Sequence, residues 1–308
     1  MKNKELFTLN PDENNLVNDG VVEINTAKDD KGLTIIRHEL KTFVCEGEYQ
    51  KGIYRILDTF LKHIDEPKQP AVWVSGFFGS GKSHLVKMLG YLWEDFNFPN
   101  GDTAKKIKAL PQDVNDLFIE LERKQNVNGK LSVSGTLKDF PSADIRYSFL
   151  QLFLNELGLP QQYHHFKFIY WAKQEGIHDQ LKTIVEAQGK DFKKEYENLF
   201  VSSTIAKAIL DLKPGFAENE AKVKENFKAN FKRIESINRE QLIDTIKTEI
   251  LPMFFGNKIP LTLIVLDEVQ QFIGLDGDKS IDLQNLAQDI CSNFDGKFLL
   301  VGNGQNAL

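Results

Sequence analysis

The stretch SGFFGSGKSH, residues 75–84, holds three glycines and a lysine between two segments with different hydrophobic patterns. Before it, AVWVS at residues 71–75 is a short apolar run of the kind that a buried strand makes. After it, apolar residues recur at the spacing of one helix face, at Leu85, Met88, Leu89, Leu92 and Trp93. The sequence therefore predicts a strand, a glycine loop and an amphipathic helix in direct succession.

Four residues of this stretch, Gly76, Gly81, Lys82 and Ser83, fit the pattern G-x-x-x-x-G-K-[ST] of a phosphate-binding loop. Glycines let consecutive N–H groups point at a phosphate, and the following helix adds the positive end of its dipole. We expect Lys82 to reach the β- and γ-phosphates of ATP and the Ser83 hydroxyl to bind Mg²⁺. The predicted nucleotide contacts are Gly76, Phe77, Phe78, Gly79, Ser80, Gly81, Lys82, Ser83 and His84. The alternative is a glycine-rich turn with a surface lysine.

A phosphate-binding loop alone would fit a kinase, a GTPase or an ATPase, and a second motif narrows the choice. Asp267 and Glu268 directly follow LTLIVL, the apolar run at residues 261–266. A carboxylate at that strand end can hold Mg²⁺ through water, so Asp267 is a predicted metal residue. Glu268 can orient and polarise the attacking water, so we predict a catalytic role in hydrolysis. The alternative is a pair of solvent-facing turn residues.

A third polar position follows the apolar run FLLV at residues 298–301. Asn303 lies just beyond that run, where an amide can contact both the γ-phosphate and the attacking water. We therefore predict Asn303 as a catalytic nucleotide sensor. Two alternatives remain: Asn303 is the turn residue of an Asn-Gly pair, or Gln305 has the sensor role.

Composition limits what else the chain can be. The net charge is −6, from 38 Lys plus Arg against 44 Asp plus Glu, which argues against a dedicated nucleic-acid-binding domain with a basic face. The two cysteines, Cys45 and Cys291, form neither a metal-ligand spacing nor a disulfide framework. No apolar run approaches 18 residues, and the N-terminus lacks the apolar core of a signal peptide. We expect a soluble cytoplasmic protein with no membrane contact.

The predicted fold class is α/β, a three-layer αβα P-loop NTPase with a large helical insertion. Apolar runs near residues 71–75, 131–136, 261–266 and 298–302 predict one parallel sheet flanked by helices. The predicted domains are an N-terminal arm at 1–45, a first part of the core at 46–160, a helical insertion at 161–257, and a second part of the core at 258–308.

The phosphate-binding loop, the distant LIVLDE and the polar sensor together resemble the additional-strand, catalytic-glutamate ATPases, particularly the AAA+ branch. FVCEGEYQKGIYRIL, residues 43–57, is similar to the segment that contacts adenine in that branch. The resemblance implies that Tyr49 and Gly52 contact the base. It also implies a fifth strand, an arginine-bearing sensor and a helical lid, which the chain to Leu308 does not show, so we expect an N-terminal fragment whose core is incomplete at its C-terminus.

A closer likeness runs along most of the chain. VWVSGFFGSGKSHLVKMLGYLW, DIRYSFLQLFLNELGLP, LIVLDEVQQFIG and FDGKFLLVGNGQNAL resemble the large P-loop ATPases of bacteriophage-exclusion (BREX) defence systems, of the PglY and BrxC type. That resemblance implies an ATPase that couples nucleotide state to conformational change or assembly. It also implies self-association or other phage-defence components as partners.

Two other functions remain open at this point. One is a signalling switch that binds nucleotide and rarely hydrolyses it. The other is an accessory ATPase of a DNA-handling complex, in which DNA would be contacted by the full-length protein or its partners, because the acidic balance of these residues does not indicate DNA binding.

Overall fold

The computed structural model describes residues 22–24, 29–77, 79–274 and 276–304. The chain divides into two compact units. The first comprises residues 1–139 and 250–308, and the second comprises residues 140–249. The predicted insertion at 161–257 overlaps the second unit, and its boundaries as a domain stay a prediction.

The first unit is built on a four-stranded parallel sheet. Its strands are β1 (Val72–Ser75), β2 (Lys130–Gly135), β3 (Leu261–Leu266) and β4 (Phe298–Gly304). Their order across the sheet is β1-β4-β3-β2. The sequence prediction of an α/β fold with these four parallel strands is confirmed. Among the described residues, β1 and β2 are the edge strands and β3 and β4 are central.

The two central strands are buried along their whole length, which explains why they read as continuous apolar runs. Leu263 and Val265 of β3 and Val301 of β4 belong to the hydrophobic core that the sheet shares with the helices Gly47–His63, Lys82–Glu94 and Gln112–Asn128. Because strand residues alternate between faces, Phe298 points to the opposite face, where its ring stacks on Phe294 at 3.9 Å between centroids.

Helices flank this sheet, and three of the eight described in this unit begin at a side-chain cap. α1 begins after Asp29, whose carboxylate accepts a hydrogen bond from the Gly32 N–H at 2.8 Å. The helices of the first unit are α1 (Asp30–Thr42), α2 (Gly47–His63), α3 (Lys82–Glu94), α4 (Ala104–Ile107), α5 (Gln112–Asn128), α13 (Leu251–Phe255), α14 (Val269–Ile273) and α15 (Gly277–Cys291). A 3₁₀ turn, Leu137–Asp139, follows β2.

Helix α1 lies within the predicted N-terminal arm, residues 1–45, whose bounds as a domain stay a prediction. Ile36 and Leu40 of α1 are completely buried in the core cluster, and Phe43 behind them is 2 % exposed. The described part of this segment therefore packs on the core through three apolar side chains, although its average composition is polar.

The second unit is helical throughout its described length. Its helices are α6 (Ile145–Glu156), α7 (Tyr163–Gln174), α8 (His178–Ala187), α9 (Phe192–Glu197), α10 (Ser203–Leu212), α11 (Glu220–Asn230) and α12 (Arg239–Asp244), followed by a π-helix, Thr245–Ile250. Its core is aromatic: Phe168 packs edge-to-face on Phe227 at 5.4 Å and on Phe231 at 5.6 Å.

None of the helices in the described ranges is both long enough and apolar enough to cross a lipid bilayer.

Candidate functional site

The phosphate-binding loop joins β1 to α3 as the sequence predicted. Gly81 is the residue before α3 and has φ +78°, in the left-handed region that favours glycine. A Cβ at Gly81 would lie 2.5 Å from the Tyr49 hydroxyl, and a Cβ at Gly76 would lie 2.9 Å from the Ser80 hydroxyl. The backbone conformation at Gly81 therefore requires glycine, whereas a side chain at Gly76 would require the Ser80 side chain to shift.

The loop folds around the side chain of Lys82. The ammonium group donates to the carbonyl oxygens of Gly76 at 2.7 Å and Phe77 at 2.8 Å, while Ser80 Oγ lies at 3.5 Å. An ammonium group has three hydrogens, and two of them are used in these short bonds. The backbone thus holds the charge at the loop, and the third hydrogen makes only the long contact to Ser80 Oγ, which an anionic ligand can replace.

Ser83 and Asp267 meet although 183 residues separate them in the chain. The Ser83 hydroxyl donates to Asp267 Oδ1 at 3.1 Å. Asp267 directly follows β3 and Ser83 is in the first turn of α3, so this contact places the carboxyl end of β3 beside the start of that helix. Asp267 is only 7 % exposed. The two residues predicted as metal ligands therefore present a hydroxyl and a buried carboxylate side by side.

Glu268 follows in a strained conformation. Its φ is +51° and ψ +31°, which is unusual for a residue with a side chain, and strain of this kind clusters at functional sites. Its N–H lies between two acceptors, Asp267 Oδ1 at 2.9 Å and Asn303 Oδ1 at 3.0 Å. Those contacts fix the backbone from which the Glu268 carboxylate projects.

Asn303 lies at this position because β4 pairs with β3 in the sheet. Leu266 pairs with Gly302, so the residue after each lies at the same carboxyl end of the sheet. The amide of Asn303 is 2 % exposed, and its Nδ2 has no hydrogen-bond partner within the described structure. Its Oδ1 accepts a hydrogen bond from the Glu268 N–H, which orients the amide group and leaves Nδ2 available as a donor.

The side chain of Glu268 is held by two residues that the sequence prediction missed. Lys138, in the 3₁₀ turn after β2, lies 3.2 Å from Glu268 Oε2, and Gln271 donates to Oε1 at 3.0 Å. Lys138 also donates to Gln271 Oε1. The sequence did offer a signal for Lys138. This residue follows the carboxyl end of a predicted parallel strand, and ligand sites of open α/β sheets form at that edge.

Tyr49 and His84 lie at the loop but bond to the protein. The Tyr49 hydroxyl donates to the Ser80 carbonyl, so it supports the loop, and a contact of its ring with adenine stays a prediction. The His84 ring lies 3.2 Å from the Glu39 carbonyl through Nε2. Burial lowers the pKa of His84 below its usual value, against the opposing influence of Glu39.

The donor atoms at this position suit a hard cation. A serine hydroxyl and a carboxylate are oxygen ligands, and Mg²⁺ is commonly bound by one or two carboxylates together with phosphates and water. The described residues contain no cluster of three or more His, Cys, Asp or Glu side chains that would hold a metal ion by themselves. The residues therefore fit a Mg²⁺ that arrives with phosphate groups.

Two predicted positions, Phe78 and Gln305, lie outside the described residues. The neighbouring Phe77 is described, and its side chain is 86 % exposed beside the loop. The comparison of Gln305 with Asn303 as the sensor therefore stays a prediction, although Asn303 makes the contact to Glu268 reported above.

Comparisons with known proteins agree with this geometry. The chain matches the model of the KAP family P-loop domain over residues 51–293, which includes the phosphate-binding loop and the Asp267–Glu268 pair. No solved structure matches the chain. A P-loop domain is a nucleotide-binding domain. Because the match covers most of the sequence, the chain belongs to the KAP family of P-loop NTPases.

Proposed function

We propose that this domain binds ATP with Mg²⁺ and hydrolyses it, coupling nucleotide state to a conformational change. The observation that carries the proposal is the meeting of Ser83, Asp267, Glu268 and Asn303 at the carboxyl end of the sheet. One strand, β4, separates the strand before the loop from the strand before Asp267. That order supports the additional-strand, catalytic-glutamate class and its AAA+ branch.

Binding would use the loop and the first turn of α3. The first N–H groups of a helix have no acceptor within the helix, so those of α3 can bond to phosphate oxygens. Lys82 would exchange a loop carbonyl for the β- and γ-phosphates. Ser83 and Asp267 would hold Mg²⁺, which when bound neutralises charge on the phosphates.

Hydrolysis would use Glu268 and Asn303. A water molecule attacks the γ-phosphorus while the Glu268 carboxylate accepts one of its protons. The bond between the γ-phosphorus and the bridging oxygen breaks, and ADP and inorganic phosphate are the products. The free N–H group of Asn303 would bond to the γ-phosphate, so that the presence of this phosphate is transmitted to the Glu268 backbone.

Substitution of Glu268 tests the hydrolytic part. Glu268→Gln keeps the side-chain shape and removes the base, so we expect ATP affinity to persist and turnover to fall about 100-fold or more. Glu218→Gln, at an exposed position of the second unit, is the matched control. Turnover that survives Glu268→Gln at the wild-type rate would rule out Glu268 as the base.

A second candidate is a nucleotide-dependent switch with little turnover. The contacts of Lys138 and Gln271 favour it, because a carboxylate engaged by two side chains is less available to the attacking water. The side chains of Lys138 and Glu268 are 36 % and 45 % exposed, and a pair this exposed is worth at most about 1 kcal/mol, or about fivefold. That is too little to suppress turnover strongly, so hydrolysis remains the first candidate.

Lys138→Met distinguishes the two candidates. If the contact restrains Glu268 during turnover, the substitution raises the ATPase rate by up to about fivefold. If nucleotide binding already breaks the contact, the rate stays within twofold of the wild type. Steady-state ATPase measurements at saturating ATP provide the comparison, with Lys207→Met as the control.

For the biological role, we propose a place in a bacterial anti-phage system of the BREX kind. The support is the likeness of the loop, of DEVQQ and of GNGQNAL to those ATPases. In a host that carries the complete gene set, Lys82→Ala and Glu268→Gln should raise phage plaque counts to those of an undefended host. Full protection with both variants would contradict this role.

A further inference from the structure

The most deeply buried ion pair near the site joins α1 to α3. Lys87 Nζ lies 2.6 Å from Glu39 Oε2, and both side chains are only 2 % exposed. Burial lowers the pKa of Lys87, and the bond to Glu39 opposes that effect. A buried ion pair is weak support for stability, because apolar side chains of similar size often stabilise a protein equally well. Its best-attested use is to fix one particular arrangement, which here is α1 against the helix that begins at Lys82.

A second contact joins the same two helices closer to the loop. His84, which directly follows Ser83, donates from Nε2 to the Glu39 carbonyl at 3.2 Å. The His84 ring packs edge-to-face on Phe43 with centroids 5.3 Å apart. Glu39 therefore contacts α3 twice, through its side chain at Lys87 and through its backbone at His84.

A third contact reaches the loop itself. Phe43 packs edge-to-face on Tyr49 at 6.5 Å, and the Tyr49 hydroxyl donates to the Ser80 carbonyl inside the loop. We refer to Glu39, Phe43 and Tyr49 together as the clamp. Its members contact Ser80, His84 and Lys87, which lie on both sides of Lys82 and Ser83 in the chain.

We propose that Glu39 is a positioning residue for nucleotide binding: through Lys87, His84 and the rest of the clamp, α1 holds the phosphate-binding loop and the first turn of α3 in the geometry that accepts phosphate. This inference rests on the proposed nucleotide function. It adds that α1, outside the loop motif, sets the nucleotide affinity. By linkage, a bound nucleotide must in turn hold α1 more firmly.

The test removes both charges together, so that neither is left buried without its partner. In the full chain, Glu39→Leu with Lys87→Met keeps the volume of both side chains, and we expect a melting temperature close to that of the wild type. We expect the Kd for a non-hydrolysable ATP analogue with Mg²⁺, measured by calorimetry, to rise about tenfold. Glu249→Leu with Lys167→Met is the matched control, because that pair lies 2.5 Å apart in the second unit and should leave the Kd unchanged.

A second measurement needs no variant. Hydrogen exchange of the α1 amides in the wild-type protein should slow several-fold when the analogue binds, together with exchange in the loop. With a purely structural ion pair, exchange in α1 would slow no more than exchange in the helices of the second unit, because a bound ligand slows exchange wherever exchange requires global unfolding.

The outcomes separate the two proposals. If the wild type binds no nucleotide, the proposed function fails and the role of Glu39 fails with it. If the wild type binds nucleotide but the double variant binds equally well, only the positioning role is overturned. If the double variant does not fold, exchange in α1 decides: slowing by nucleotide supports the clamp, and unchanged exchange with slowing in the loop overturns it.

Discussion

Within the described residues, four non-glycine residues have a positive φ: Asp65, Asp95, Glu268 and Asp295. All four belong to the first unit. In the second unit, the described residues with a positive φ are glycines, at Gly158, Gly176 and Gly189, each of which follows a helix. The second unit therefore ends its helices with the residue that adopts this conformation without strain. In the first unit, by contrast, four residues with side chains adopt a positive φ, which costs conformational energy.

The hydrophobic cores of the two units also differ in the residues that they pack. The second unit packs Trp171 and several phenylalanines among short helices, and five of its helices begin at an Asp, Ser or Asn cap. The first unit packs aliphatic strands and leaves polar groups at their carboxyl ends. Glu268, the strained residue at the site, is one of these polar groups. The comparison agrees with the proposal that the nucleotide chemistry belongs to the first unit, while the second unit is regularly packed.

The largest expected effect tests where the chemistry lies. Lys82→Ala removes the ammonium group that the loop carbonyls hold, so affinity for ATP with Mg²⁺ should fall about 1,000-fold, or about 4 kcal/mol, at an unchanged melting temperature. Lys207→Ala, at a solvent-exposed position of the second unit, should leave affinity as it is. Calorimetric titration of both variants provides the measurement. If the two variants bound ATP with equal affinity, the proposal that the first unit binds the nucleotide would be wrong.

The next effect compares two glycines with nearly the same φ. Gly296 has φ +66° and Gly189 has φ +70°. A Cβ on Gly296 would overlap the His63 carbonyl oxygen, whereas a Cβ on Gly189 would have open space. Gly296→Ala should cost about 4 kcal/mol of unfolding free energy, from backbone strain and overlap together, and Gly189→Ala about 1 kcal/mol from strain alone.

Urea denaturation of both glycine variants measures the difference. Costs that are equal within 0.5 kcal/mol, as an order-of-magnitude threshold, would show that close backbone packing at Gly296 is not required. The distinction between a tightly packed first unit and a permissive second unit would then be lost.

The smallest effect concerns acid stability of the second unit. His164 is 6 % exposed, and burial, followed by the nearby His165 and Arg233, lowers its pKa to about 4. Because the folded value lies below the unfolded value of 6.5, the contribution of His164 to stability is complete above pH 6.5 and is lost as the pH falls towards 4. The loss amounts to about 3 kcal/mol.

Hydrogen exchange of the α7 amides between pH 7 and pH 4, corrected for the intrinsic rate, would measure this loss. His164→Gln should flatten the dependence of stability on pH, while His38→Gln, in the first unit, should not change it for α7. A slope that His164→Gln leaves unaltered would assign the acid sensitivity of the second unit to other groups.

Much of the site could be read from local sequence. The glycine loop depends on residues at fixed short spacing, so Gly76, Gly81, Lys82 and Ser83 could be predicted as one structure. The strands before Asp267 and Asn303 could be predicted because buried parallel strands are continuous apolar runs. In each case the physical requirement acts within about ten residues, and the pattern in the chain records it directly.

Only the tertiary structure decided which distant groups meet. The place of β4 between β1 and β3 brings Asn303 to the Glu268 backbone, and the turn after β2 brings Lys138 to the Glu268 carboxylate. In the same way, packing of α1 on α3 buries Glu39 with Lys87. The sequence alone could not predict these pairs, because a charged side chain has many partners of opposite charge in the chain and only the packing of the helices and strands selects one.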